Sequence, residues 1–442
     1  MPKTTPRPAA LMRVRHDRAT GVTTASLSNG LTILAREMRA APITAFCVWY
    51  RVGSRNEHLG ITGASHWVEH MMFKGTPQHN EAEMDRLISR EGGHRNAFTW
   101  IDCTAYYETM PSDKIDLAIA LEADRMTGSL FRPRDVASER TVIINERQGS
   151  ENSPGFRLGE EVQAAAFRVH PYGHEVIGHM ADLQSMSRDD LFGHYRRFYA
   201  PNNAIVSVAG DFDTADMLAR IARKLGPLKR GVAAPKVAAD EPEQKGERRV
   251  TVRGEGKTDY VTLAFHAPGA MHPDAMPLVV VEAVLSGAGG LTFFGGGTSN
   301  RSSRLSKALV DTGISADAGC SVVPTIDPFL FSFSATPQVG VPPADVEAAL
   351  WREIERIKTE PISAEELEKA IKQTRAQVAF NTESCTNQAF WLGFSQIVAD
   401  TAWFTGYLDR LRQVTPAEVQ RVAQTYLTRD NVTVGVYVAD EK

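Results

Sequence analysis

The chain has 442 residues, too long for one ordinary hydrophobic core, and this length predicts roughly two to four domains. Hydrophobic residues make up 43% and charged residues 23%, which indicates a globular chain and excludes a disordered one. With a net charge of −4, we expect neither nucleic-acid binding nor attraction to an anionic membrane.

The cysteines and the N-terminal segment bear on the cellular compartment. The four cysteines lie far apart and form no C-x-x-C pair, which predicts buried reduced thiols rather than disulfides or a thiolate zinc site. No apolar run has the roughly 7–15 residues of a signal peptide or the about 18–20 residues of a membrane span. We therefore expect a cytoplasmic protein, or a periplasmic one if a leader has been removed.

Strands and helices are mixed in the first half of the chain. Residues 23–38 alternate in polarity around Asn29 and Gly30, which predicts a β-hairpin. Residues 45–57 predict a strand that runs into a loop, and residues 112–131 have the apolar spacing of a helix. Because there is no strict β-α-β alternation, we predict an α+β fold.

Two segments of the sequence resemble each other. Residues 187–211 and 415–439 each begin with a hydroxyl residue suited to cap a helix, continue as an amphipathic helix and end in an alternating apolar strand. Aligned without gaps they are offset by 228 residues, and Asn203 falls on Asn431. A repeat that divides the chain almost in half predicts two homologous halves.

The boundary between these halves should lie at a shift in composition. Residues 226–249 are rich in Pro, Gly, Ala and charge, and they lack a sustained apolar period. We predict an N-terminal domain over 1–225, this linker, and a C-terminal domain over 250–442, each an antiparallel-rich sheet packed by helices. The second half is predicted to contain two strands within 249–269 and helices over 343–360 and 363–380.

The stretch 61–75 contains the residues with the clearest chemistry. On a helix, His66 and His70 share one face, which is the spacing that lets two imidazoles bind one zinc ion. Glu69 lies on the same face and can act as a base toward a metal-bound water. The order H-x-x-E-H is the inverzincin signature. The alternative is an amphipathic helix on which the histidines merely cap or line the surface.

A catalytic zinc site needs a third protein ligand. The predicted helix over 136–152 offers Glu139 and Glu146, which are seven residues apart and so face the same way. One can bind the metal while the other orients a histidine. Helical spacing does not decide between them, nor does it exclude two solvated charges.

The stretch 66-HWVEHMMFKGT-76 resembles the signature of the pitrilysin and insulin-degrading-enzyme family of zinc peptidases, which includes mitochondrial processing peptidase subunits and small bacterial proteins. Glu146 lies 76 residues after His70, as the family's glutamate ligand does. The resemblance implies that His66, His70 and Glu146 bind Zn²⁺. It implies also that Glu69 is the general base and that Glu139 supports the site.

The resemblance extends along nearly the whole chain. Residues 92–100 resemble the family's edge strand, which implies that a peptide or unfolded polypeptide substrate binds as an added strand at Asn96, Ala97 and Thr99. The family's two homologous α+β halves agree with the internal repeat.

One departure from the family concerns the second half. Val310 and Ala316 stand where catalytically complete members have an arginine and a tyrosine. We therefore expect a heterodimer with a homologous subunit that lacks H-x-x-E-H and carries the Arg/Tyr pair. The alternative is a non-catalytic assembly subunit that retains a metal site, although Glu69 argues against it because a structural metal needs no base.

Overall fold

The computed structural model describes residues 11–289 and 301–440. The chain forms two compact units, and neither is one continuous range. The first consists of the residues up to Arg147 together with Glu175–Ala238 and Thr382–Phe404. The second consists of Gln148–His174, Ala239–Asn381 and the residues from Thr405 onward. Within the described residues, no helix combines the length and apolar character needed to cross a membrane.

The first unit is built on a seven-stranded sheet. Its strands are β1 (Leu11–Asp17), β2 (Val22–Leu27), β3 (Thr32–Glu37), β4 (Ile43–Tyr50), β5 (His94–Thr99), β6 (Thr104–Pro111) and β7 (Ala204–Gly210). The spatial order is β1-β2-β3-β7-β4-β6-β5, with β3 and β7 parallel and all other neighbours antiparallel. Strand β5 therefore lies at an edge of the sheet.

Helices cover both faces of this sheet. Those that begin in the first unit are α1 (Ala64–Met71), α2 (Glu81–Arg90), α3 (Ile115–Gly128), α4 (Pro133–Glu151), α6 (Met180–Ser185), α7 (Arg188–Phe198), α8 (Thr214–Leu225), α12 (Cys385–Val398) and α13 (Thr401–Thr405). Alternate β4 residues such as Phe46 and Val48 join the core that contains α1, α3, α7 and α8. Trp49 points the other way and contacts α12. Because both faces of β4 are buried, its sequence is an almost continuous apolar run.

Helix α12 packs very closely against β4. The indole of Trp49 lies edge-on to Phe390 at 5.1 Å between ring centroids and donates a hydrogen bond to Ser207 at 2.9 Å. A Cβ atom at Gly393 would lie 1.9 Å from Nε1 of Trp49. Only glycine fits at this point of α12, and the close approach holds the helix against the sheet.

The second unit is built on a five-stranded sheet. Its strands are β8 (Arg248–Glu255), β9 (Tyr260–Ala267), β10 (Ser315–Val322), β11 (Phe329–Pro337) and β12 (Val432–Asp440), in the spatial order β10-β11-β9-β12-β8. Its helices are α5 (Pro154–Ala166), α9 (Ala275–Leu285), α10 (Pro343–Thr359), α11 (Ala364–Phe380), α14 (Tyr407–Gln413) and α15 (Pro416–Tyr426), and a π-helical turn spans Ser306–Val310. Only β8 and β12 are parallel in this sheet.

The internal repeat is confirmed by matching local structure. Helix α7 and strand β7 correspond to α15 and β12, and each strand pairs in parallel with one neighbour. The side-chain amide of Asn203 donates to the carbonyl of Phe198 at 2.9 Å, and that of Asn431 donates to the carbonyl of Tyr426 at 2.8 Å. In both cases the amide closes the end of the preceding helix, so the two α+β halves share their fold.

The predicted ranges 1–225 and 250–442 differ from the compact units in two segments. Helix α5 comes from the first half and packs on β8, β9 and β12 of the second unit. Helix α12 comes from the second half and packs on β3, β4 and β7 of the first unit. Residues 226–247, all of them described, form no helix or strand.

A buried carboxyl lies in the core of the second unit. Burial raises the pKa of Glu282, on α9, to about 8, and a hydrogen bond from the Val322 backbone only partly opposes this shift. The unfolded carboxyl titrates near its ordinary value of 4.5, so above that pH unfolding releases a proton. The protein therefore loses stability as the pH rises from about 4.5 to about 8.

Glu282→Gln is expected to remove this loss, because glutamine resembles the protonated carboxyl. We expect a gain in the free energy of unfolding of a few kcal/mol at pH 8 and almost no change at pH 4, since one pKa unit corresponds to about 1.4 kcal/mol. Urea unfolding at the two pH values measures the difference, with Glu368→Gln on the exposed face of α11 as the control. If Glu282→Gln changed the free energy of unfolding equally at both pH values, the raised pKa of Glu282 would be contradicted.

Candidate metal centre

Helix α1 is fixed at its N-terminus by a buried carboxylate. Glu57 accepts hydrogen bonds from the backbone N–H groups of Gly63 at 2.7 Å and Ser65 at 2.6 Å. These groups have no partner within the helix, and a negative charge at this end is favourable for the helix dipole. This role of Glu57 was not predicted from the sequence. The cap sets where α1 begins and so where its histidines lie.

Three predicted ligands converge between α1 and α4. Nε2 of His66 lies 3.8 Å from Oε2 of Glu146, and Nε2 of His70 lies 3.7 Å from the same oxygen. All three ligand atoms lie within 4.8 Å of one another. Atoms that share a tetrahedral zinc at about 2.0–2.2 Å lie roughly 3.2–3.6 Å apart. The donor set of two imidazoles and one carboxylate therefore fits a zinc ion with small adjustments.

Glu139 contacts His70 and lies outside the three-atom cluster. Its Oε2 lies 3.1 Å from Nδ1 of His70, which leaves Nε2 of that imidazole directed at Glu146. Burial raises the pKa of Glu139, but hydrogen bonds from His70 and Lys74 outweigh it and the net shift is downward. Glu139 thus contacts His70 from outside the cluster, and Glu146 lies within it; the roles that the family resemblance implies for the two glutamates stay predictions.

The two histidines differ in their surroundings. Burial and the neighbouring imidazole of His70 lower the pKa of His66 to about 3, so His66 is neutral, as a metal ligand must be. Burial also lowers the pKa of His70, but the hydrogen bond to Glu139 and nearby carboxylates outweigh it and raise the pKa overall. Among the described residues, the buried Nδ1 of His66 has no hydrogen-bond partner, so no carboxylate supports that imidazole.

Glu69 is buried beside the cluster with one contact that orients it. Burial raises the pKa of Glu69 to about 7, and the hydrogen bond from Thr99 opposes this shift. The hydroxyl of Thr99 donates to Oε2 of Glu69 at 2.7 Å. A carboxylate whose pKa lies near neutral pH is well suited to accept a proton from water and release it again.

The predicted substrate strand is the edge strand β5. It pairs with β6 on one side, and among the described strands it has no neighbour on the other. The backbone N–H of Ala97 donates to the side chain of Asn96 at 2.9 Å. Thr99, at the end of this strand, contacts Glu69 rather than solvent alone. Strand addition at Asn96, Ala97 and Thr99 stays a prediction.

The remaining predicted positions lie in the second unit. Val310 ends the π-helical turn Ser306–Val310 and is half-buried, and Ala316 lies on β10, where it is exposed. Neither side chain can donate a hydrogen bond to a reacting oxygen.

The fold and the donor set together define a two-unit α+β protein with a candidate His₂Glu metal centre. Residues 32–179 match the family model described as insulinase, peptidase family M16, and residues 185–374 match the one described as peptidase M16 inactive domain. Both models describe parts of one family, and together they span most of the sequence. The chain belongs to peptidase family M16.

Relatives match over most of their length. The zinc protease PqqE of Helicobacter pylori is 27% identical over 407 residues, which is 91% of this chain and 89% of that protein. The crystal structure of a protease from Helicobacter pylori has a TM-score of 0.89 and 26% identity, and the match covers 96% of this chain and 100% of that one. The "Probable mitochondrial-processing peptidase subunit beta" of Schizosaccharomyces pombe is 26% identical over 265 residues, 59% of this chain and 58% of that protein. The similarity therefore extends well beyond the histidine motif.

Proposed function

We propose that this chain is a zinc-dependent endopeptidase subunit that hydrolyses peptides or unfolded polypeptides. The observation that carries the proposal is the cluster of His66, His70 and Glu146 with the buried carboxyl of Glu69 beside it. Zinc proteases among the relatives support the same reading. A structural metal site would need the three ligands but not a base held by Thr99.

Each residue has a separate task in this proposal. His66, His70 and Glu146 would hold zinc, which when bound lowers the pKa of water and polarises a carbonyl. Glu69 takes the proton of the attacking water and passes it to the leaving amine. Glu139 holds His70 through Nδ1, and Thr99 holds the carboxylate of Glu69 in place. The edge strand β5 would align the peptide backbone.

The proposal includes a partner subunit. Val310 and Ala316 cannot stabilise the tetrahedral intermediate by hydrogen bonding, a contribution that preorganised donors usually supply. A homologous chain without H-x-x-E-H that carries an arginine and a tyrosine would provide those donors. The similarity to a β subunit of mitochondrial-processing peptidase supports a two-chain enzyme.

A non-catalytic assembly subunit is the second candidate function, and the absence of side-chain hydrogen-bond donors at Val310 and Ala316 favours it. To decide, the purified chain is depleted of metal, reloaded with zinc, and incubated with unfolded peptides with and without the homologous partner. Zinc-dependent cleavage that rises strongly when the partner is added supports the proposal. Full activity of the chain alone would rule out the need for a partner, and no cleavage by the zinc-loaded pair would favour the assembly role.

A further inference from the structure

A chain of ionic contacts leads away from the metal ligand His70. Lys74 lies four residues after His70, just beyond the end of α1 at Met71, and its Nζ contacts Oε1 of Glu139 at 2.7 Å. The same Nζ contacts Oε1 of Glu81 at 2.9 Å and Oε2 at 3.1 Å. Glu81 is the first residue of α2, so the chain joins α1, α4 and α2.

The two oxygens of Glu139 have different partners. Oε2 contacts Nδ1 of His70 and Oε1 contacts Nζ of Lys74, so the lysine fixes the rotation of the carboxylate about its terminal bond. The Glu139 side chain is only 6% exposed, and that of Lys74 is 21% exposed. An ion pair with this much burial is screened less by water and salt than a surface pair. Without the lysine, Oε1 would lose its charged partner.

Helix α2 also leads to the edge strand. Asp85, one turn after Glu81 and therefore on the same face of α2, accepts a hydrogen bond from Nε of Arg95 at 2.8 Å. Arg95 lies on β5, and its side chain is 9% exposed. The contacts from His70 through Glu139, Lys74 and α2 thus reach the strand predicted to bind substrate.

We propose that Lys74 is a positioning residue of the metal centre: it fixes Glu139 so that the carboxylate orients His70 for the metal, and it fastens α2 to the same site. The inference rests on the proposed zinc site, but it concerns the retention of the ion and not the reaction. Partners that orient metal ligands typically change metal affinity about 10–100-fold when removed.

Lys74→Met is expected to raise the dissociation constant for zinc about tenfold, measured by competition with a fluorescent chelator. Methionine keeps the aliphatic bulk and removes the cation. Lys74→Arg should restore much of the affinity, because it returns a cation to Glu139. Hydrogen exchange provides a second measurement, in which Lys74→Met should lower the protection of α2.

Lys114→Met is the matched control. Lys114 contacts Glu91, the residue that directly follows α2, at 3.3 Å, and this ion pair does not involve a proposed metal ligand. This variant also removes a lysine that contacts α2, but we expect it to leave zinc affinity unchanged. If Lys74→Met and Lys114→Met bind zinc equally well, the proposal is wrong.

A double-mutant comparison tests the route through Glu139. If Lys74 acts through that carboxylate, Lys74→Met should weaken zinc binding far less in a Glu139→Gln background than in the wild type. Equal fold-changes in the two backgrounds would overturn the proposal. Should Lys74→Met fail to fold, Lys74→Gln replaces it in both comparisons. Failure of the wild type itself to bind zinc would instead refute the proposed function, so the two failures are distinguishable.

Discussion

Glu69→Gln is expected to lower kcat/KM for peptide hydrolysis about 10²–10⁴-fold, the range that general acid–base catalysis contributes. Glutamine has the same shape, and its carbonyl oxygen can still accept the hydrogen bond from Thr99. It cannot take a proton from water, however. Because Glu69 is not among the three converging ligand atoms, zinc affinity should stay close to that of the wild type.

The measurement compares zinc content and cleavage rate for the same preparation, with the partner subunit present if the wild type needs it. Glu161→Gln, a substitution of an exposed glutamate on α5, is the control and should retain full activity. If Glu69→Gln with zinc bound cleaves peptides as fast as the wild type, the general-base role of Glu69 is wrong. If it loses zinc as well, Glu69 contributes to metal binding.

Arg125→Leu is expected to destabilise the first unit by about 3–5 kcal/mol, because it leaves buried carboxylates without their cation. Arg125 is fully buried on α3, and its guanidinium donates to Glu108 at 3.0 Å and through Nε to Glu122 at 2.9 Å. The guanidinium also lies over the ring of Tyr106, 4.3 Å from its centroid. In the variant, the carboxyl groups of Glu108 and Glu122 cannot regain contact with water unless the core opens.

Urea unfolding of Arg125→Leu at pH 8 and pH 5 measures the loss. Burial raises the pKa of Glu108 to about 7 even beside Arg125, and without the arginine the pKa should rise further. A protonated carboxyl no longer buries a charge, so the destabilisation should be smaller at pH 5 than at pH 8. Arg220→Leu is the control, since its pair with Asp216 is half-exposed and typically contributes about 0–1 kcal/mol. If both variants lost the same free energy of unfolding, the stabilising role of Arg125 between Glu108 and Glu122 would be contradicted.

The sequence was sufficient for the part of the site that lies on one helix. His66, Glu69 and His70 are brought together by helical spacing alone, so their pattern predicted their geometry. Glu139 and Glu146 share a face of α4, and spacing could not say which one lies near Nε2 of both histidines and which one contacts only Nδ1 of His70. That choice depends on how α4 lies against α1 and on where Lys74 places its amine, both of which are tertiary.

Residues that act through long-range contacts were missed for the same reason. Glu57 caps α1 from a loop, and Lys74 joins α4 to α2, yet the sequence marks neither as more than an ordinary surface charge. Lys74 lies beyond Met71, the last residue of α1, so helical spacing from His70 could not have identified it. The repeat was predicted from matching patterns, but no pattern shows which sheet a helix will pack against, so chain order alone could not place α5 on the second sheet or α12 on the first.

The placement of α12 bears on how the protein is made. The first unit has all seven strands of its sheet and all three candidate ligands once residue 210 has been synthesised, but the face of β4 that bears Trp49 is covered by α12, which ends at Val398. During synthesis that face has no cover until nearly the whole chain has left the ribosome. The half that bears the histidines therefore does not complete its core as an independent N-terminal domain, and a gene cut near residue 225 would yield a fragment with an exposed apolar sheet.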